Sequence, residues 1–323
     1  MNDFSLPAAV SLEAEVYIQD LYGGMPAPPR EVVTTVVHAL TTPTHRLQIC
    51  SIRVSAPWTL EWHLTLFTPL SALEMNGPIL LSPDGCWPHV VSTEAMSAVL
   101  EQGVGLAYFD RLYLAHDRPD GQRTGTLHPK PGDAWGAIAA WAWGLKTSVQ
   151  ALRQLSEFES SKIGVMGHSR GGKAALLAGA LDPDIALTAS HNSGCAGAAS
   201  FQVREDSAET LDAMQHHFPH WLSIECEQAS VREDLEGRDN AALLECFTGR
   251  HLCVMQAEDD LWANPSGTRH AVERLKAQWQ ALGLGDHLTH FTRTGGHRMT
   301  GLDWSRAAQT LAKIHSQNQA QKD

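Results

Sequence analysis

Residues Lys162–Leu181 read KIGVMGHSRGGKAALLAGAL, and this stretch decides the fold. A short apolar run, Lys162–Met166, leads into Gly167-His168-Ser169-Arg170-Gly171, and a segment with helical character, Gly172–Leu181, follows. The pattern is G-x-S-x-G between a strand and a helix. A turn this tight leaves no space for side chains at Gly167 and Gly171, whose Cβ atoms are expected to strike neighbouring backbone. It pushes the Ser169 hydroxyl out of the sheet. The helix beginning just beyond it aims unpaired amide N–H groups and a positive dipole end at the same point. The amide of Arg170 is then a natural oxyanion donor. The fold expected is the α/β-hydrolase fold, a mostly parallel sheet with helices on both faces.

The rest of the chain agrees with that reading. Apolar runs predict strands at Leu47–Val54, Glu61–Phe67, Ile79–Ser82, Val104–Phe109, Ala186–Ser190, His251–Gln256 and Leu288–Thr292, besides Lys162–Met166. The later runs are short and continuous, as in strands covered on both faces. Between them, Ile138, Trp141, Leu145, Val149 and Leu152 recur at helical steps and form one apolar stripe, and Arg269–Leu282 also reads as a helix. Such alternation argues for a parallel α/β sheet. No repeat or low-complexity linker interrupts the 323 residues, which read as a single domain, with a polar end from Ser316 expected to fray.

Composition narrows the function. Hydrophobic residues make up 43% of the chain, enough for a substantial core. Lys and Arg total 24 against 36 Asp and Glu, a net charge of −12, which disfavours nucleic acid and anionic membrane as partners. No apolar run approaches a membrane span. The first residues lack the basic start and apolar core of a signal peptide, so the sequence as written is expected in the cytoplasm, or outside the cell if a leader has been removed. The six cysteines form no C-x-x-C pair, which argues against a structural zinc site; in a chain this long mostly free buried thiols are expected, with one disulfide left open. No cofactor is expected, and the oligomeric state is left open.

A serine hydroxyl needs a base. In this fold the partners follow in the order serine, acid, histidine. Among 17 histidines, His297 has the right place: it follows a predicted strand and two glycines and precedes a helix from about Asp303. His290 falls inside a strand, and His315 in the terminal helix. The acid belongs after the preceding strand, which ends in Glu258-Asp259-Asp260, and spacing alone leaves all three open. Asp84-Gly85-Cys86-Trp87 follows the third predicted strand, where such folds place oxyanion-loop residues, but a plain tight turn reads equally well. His168 is expected to pack beneath the elbow.

In order along the chain, GHSRGGK (Gly167–Lys173), SGCAGAAS, FPHW, EDDLWANP, GGH and GLDW resemble the glucuronoyl esterases, carbohydrate esterase family 15. The resemblance runs from Leu21-Tyr22-Gly23-Gly24-Met25-Pro26 to about Leu311. It implies a metal-free serine esterase acting on esters of 4-O-methyl-glucuronic acid, a carbohydrate ester substrate. By position it makes Ser169 the nucleophile, His297 the base and the Arg170 side chain an oxyanion stabiliser, and it places Lys173, Glu209, Trp262 and, more loosely, Gln202 at the sugar. Some members carry the acid where this chain has Asn192, which cannot supply the charge that steadies an imidazolium. Others carry it two residues before the tryptophan, and that position is Asp260. Two rival readings accompany this one: a broad carboxylesterase or acetyl esterase that keeps the elbow, and a catalytically inactive binding module on the same fold.

Overall fold

The computed structural model describes residues 11–74, 76–127 and 133–320. Its strands, in chain order, are β1 (Glu31–Thr41), β2 (His45–Ser55), β3 (Leu60–Pro69), β4 (Ile79–Ser82), β5 (Gly105–Phe109), β6 (Ile163–His168), β7 (Leu187–His191), β8 (His251–Ala257) and β9 (Leu288–Arg293). They lie in one sheet in the order β1-β2-β3-β5-β4-β6-β7-β8-β9. From β5 to β9 neighbouring strands are parallel, whereas β1, β2 and β3 form an antiparallel ribbon joined to the sheet through β3 and β5.

Eight strands sit where the sequence places them, their ends displaced by no more than two residues. β1 is the addition. It is an edge strand with one neighbour, most of its residues are exposed, and its register slips between Val36 and His38. An edge strand with no buried face has no clean alternation to read, although Val32-Val33-Thr34-Thr35-Val36-Val37 is rich in β-branched residues.

Successive side chains of a strand point to opposite faces, and each face here has its own core. On one, Leu81, Ala107 and Val165 pack with the helices Ala137–Leu152 and Arg170–Leu181. On the other, Leu80, Leu106 and Met166 pack with Thr93–Leu100 and Gly301–Ala320. That last helix continues past Ser316, where fraying was expected. The helix Ala137–Leu152 is buried on nearly every side rather than along one stripe, because the chain near Ala27 and Trp221 covers its outer side. Trp141 on this helix is fully buried, with its indole N–H donated to the Ala115 carbonyl at 3.0 Å. Each such side chain stabilises by about 1.5–3 kcal/mol. The register pairs Gly167 with Ser190, His168 with His191, and His191 with Met255. The carboxyl ends of β6, β7 and β8 therefore lie side by side, where sheets of this kind place their sites.

Candidate active site

Ser169 sits at the turn between β6 and its helix with φ 55° and ψ −119°, a strained backbone for a residue with a side chain. The strain is held by neighbours. The Ser169 amide donates to the His191 carbonyl of β7 at 2.8 Å, and the His168 amide donates to Asp84 Oδ2 at 2.8 Å. A Cβ at Gly167 would lie 2.1 Å from the Gly171 carbonyl oxygen, as the backbone argument requires. At Gly171 the obstacle differs from the expectation: a Cβ there would meet the Asp84 carboxylate at 2.2 Å, a side chain rather than backbone. Asp84-Gly85-Cys86-Trp87 is thus more than a tight turn. Asp84 is fully buried beneath the elbow and paired with Arg111.

The three acids after β8 separate by what they touch. Glu258 faces Arg269 at 4.0 Å, and Asp259 accepts from the Gly295 amide at 2.6 Å. Asp260 reaches His297: its Oδ2 lies 2.6 Å from Nδ1. Its side chain is 3% exposed against 43% for the imidazole. Asn192, at φ 45°, donates its side-chain N–H to Asp260 Oδ2 at 2.7 Å and accepts the Ala257 amide at 2.8 Å. It braces the acid instead of replacing it.

A cavity of about 170 Å³ opens at Ser169, lined also by Trp87, His89, His168, Arg170 and His297. Burial, and then the neighbouring His191 and His297, hold the His168 imidazole well below the usual histidine range. Its Nδ1 is 2.8 Å from Nδ1 of His191, whose Nε2 lies 3.4 Å from Asp303. His168 accordingly packs against the elbow as expected, yet also forms part of the cavity wall. Arg170 gives one N–H to Asp117 Oδ2 at 2.6 Å, and its guanidinium carbon lies 4.5 Å above the Trp221 ring. His89, Arg111 and Asp117 are the site residues that sequence reading missed. They come from charged or proline-bearing loops whose signals match ordinary surface turns.

The residues assigned to the sugar are arranged differently. Lys173 is 2% exposed, and its ammonium group donates to the Ser193 carbonyl at 2.7 Å, the Cys195 carbonyl at 2.5 Å and Glu209 Oε2 at 2.8 Å. An ammonium has three N–H groups, so all are engaged within the protein. The Glu209 amide donates to the Trp262 carbonyl at 3.0 Å, which joins these two residues, and the Trp262 ring is 44% exposed. Gln202 is exposed, and its backbone amide donates to Ser200 Oγ at 3.1 Å. None of the four lines the cavity at Ser169.

Sheet order, strained elbow and site at the strand ends together define an α/β-hydrolase. The family described as glucuronyl esterase, fungi, matches residues 72–283, and the chain belongs to that family. A carbohydrate esterase from an unknown prokaryotic organism is 34% identical over 191 residues, 54% of this chain and 44% of that protein. A 4-O-methyl-glucuronoyl methylesterase from Phanerochaete chrysosporium is 25% identical over 285 residues, 85% of this chain and 57% of that protein. The chain thus spans about half the length of these curated relatives. The solved structure of a glucuronoyl esterase from Solibacter usitatus superposes with a TM-score of 0.78 at 25% identity, covering 97% of this chain and 98% of that one.

Proposed function

We propose that the chain is a serine esterase that hydrolyses carboxylic esters of glucuronic acid. The observation that carries this reading is the 2.6 Å contact of Asp260 with His297 in a cavity that also exposes Ser169 on its elbow. With Nδ1–H donated to Asp260, Nε2 of His297 is left as the base. It takes the Ser169 proton as the oxygen attacks the ester carbonyl. The tetrahedral oxyanion is met by the amide of Arg170, unpaired because it opens the helix, and by the Arg170 guanidinium. The alcohol leaves with the proton from His297, and water, deprotonated by His297, releases the acid from Ser169. On the sugar side Lys173 works through Glu209, holding its carboxylate for a hydroxyl, with Trp262 as a wall.

Labelling with a fluorophosphonate tests the nucleophile. One adduct on Ser169, absent from Ser169→Ala, is expected; an adduct that persists in that variant would refute the assignment. A second reading, a broader carboxylesterase, is favoured by the engaged ammonium of Lys173 and by the small cavity that its sugar partners do not line. Methyl glucuronate and p-nitrophenyl acetate separate the two. Turnover of acetate alone, unaffected by loss of Trp262, supports the broader enzyme.

A further inference from the structure

We propose that Asp117 and Arg111 are positioning residues for this reaction: a buried chain of alternating charge, Asp84–Arg111–Asp117–Arg170, holds the Arg170 guanidinium ready for the oxyanion. The inference rests on the esterase reading above. Three separate segments supply the chain. Asp84 follows β4, Arg111 follows β5, Asp117 lies six residues further on, and Arg170 flanks the nucleophile. The first three side chains are 1%, 1% and 7% exposed, and Arg170 is 25% exposed. Arg111 pairs with Asp84 through one nitrogen and lies 3.6 Å from Asp117 through another. Its guanidinium also lies 4.7 Å above the Trp141 ring.

Asp117 is surrounded by donors. His220 Nε2 is 3.0 Å from Oδ1, the Trp221 indole N–H donates to Oδ1 at 2.8 Å, and Arg170 donates to Oδ2. Burial alone would raise this carboxyl. The His220 hydrogen bond and the Arg170 charge instead hold it well below the usual carboxylate range. Trp221 acts twice, since its ring lies under the guanidinium while its N–H fixes the carboxylate. The indole ring packs against the guanidinium, and the carboxylate takes one of its N–H groups. Arg170 is also part of the wall of the cavity that holds Ser169. A donor held still needs no reorganisation when charge develops. Asp117 alone would weaken the field of Arg170, but Arg111 shares that carboxylate and offsets its charge. At the far end, Asp84 takes the amide of His168, so the chain grips both neighbours of Ser169.

The test is steady-state hydrolysis of methyl glucuronate by the full chain, with melting temperature recorded for each variant. Arg170→Ala should lower kcat about 100-fold. Asp117→Asn should lower kcat about tenfold, with KM within about twofold, because the group it positions acts in the transition state. In the Arg170→Ala background Asp117→Asn should add nothing. Trp221→Phe keeps the ring and removes the N–H. It should cost about threefold in kcat with Arg170 present and nothing without it, and it serves if Asp117→Asn fails to fold. Losses that multiply in the double variants, or wild-type kcat in Asp117→Asn and Trp221→Phe, would overturn the inference while leaving the esterase reading intact. An inactive wild type would overturn both.

Discussion

Two carboxylates hold side chains of the cavity at Ser169, and each stands 2.6 Å from a nitrogen: Asp260 beside His297 and Asp117 beside Arg170. Both are buried, and each is braced by further donors. They differ in the partner. In the proposed reaction His297 gains and loses a proton in every turnover, so Asp260 meets a charge that appears during the reaction. Arg170 is charged throughout, so Asp117 can only set its direction. Equal distances therefore predict unequal losses, and the loop after β8 should matter far more to rate than the loop after β5.

That contrast can be tested at four points. The largest effect belongs to Asp260→Asn, which should lower kcat about 10⁴-fold, because the neutral amide stabilises the wrong tautomer of His297. A loss near the tenfold expected for Asp117→Asn would erase the distinction; single-turnover kinetics on methyl glucuronate reads it. A third buried carboxylate, Glu209, gives the next effect. Lys173→Met leaves it without its cation, and both side chains are 5% exposed or less. Stability should drop by about 3–5 kcal/mol in urea unfolding, whereas Trp262→Ala, at an exposed ring, should leave unfolding nearly unchanged. A stable Lys173→Met would mean the ion pair is not what holds this region together.

Asn192→Ala should be milder, about a tenfold loss in kcat, since Asp260 keeps its contact with His297 but loses one donor. Unchanged kcat would make Asn192 a backbone brace and nothing more. The smallest effect concerns pH. Burial depresses the imidazoles of His168 and His191, whose neighbours are His89, His297, Asp303 and Arg293. Below the ordinary histidine value of about 6.5 the unfolded chain then binds more protons than the folded one, so stability falls as pH drops. The melting temperature should decline between pH 7.5 and 5.5, and less so in His168→Gln. A melting temperature that rises towards acid would show that these histidines are charged in the fold.

The same contrast marks what sequence could reveal. The elbow at Ser169, the loop setting of His297 and eight strands lie in local patterns of glycine and apolar spacing, and the resemblance chose Asp260 from three adjacent acids. Asp117 sits in Tyr113-Leu114-Ala115-His116-Asp117-Arg118-Pro119-Asp120, which has the composition of a solvated turn. Its meaning comes from meeting Arg111, Arg170 and Trp221, and no spacing links those segments. Gly171 shows the same limit: the need for glycine was legible, but the buried Asp84 that enforces it was not. The resemblance placed Lys173 at the sugar, while its saturation by Ser193, Cys195 and Glu209 depends on how the segment after β7 folds back. β1 stayed hidden because an exposed edge strand obeys neither periodic pattern.

The most direct test of the account is release of the free acid from methyl 4-O-methyl-glucuronate by the wild type and Ser169→Ala. Saturable hydrolysis by the wild type is expected, with kcat/KM above that for p-nitrophenyl acetate, and none above background in the variant. Equal rates in the two proteins, or no hydrolysis of the glucuronate ester by a folded wild type that cleaves the acetate, would contradict it.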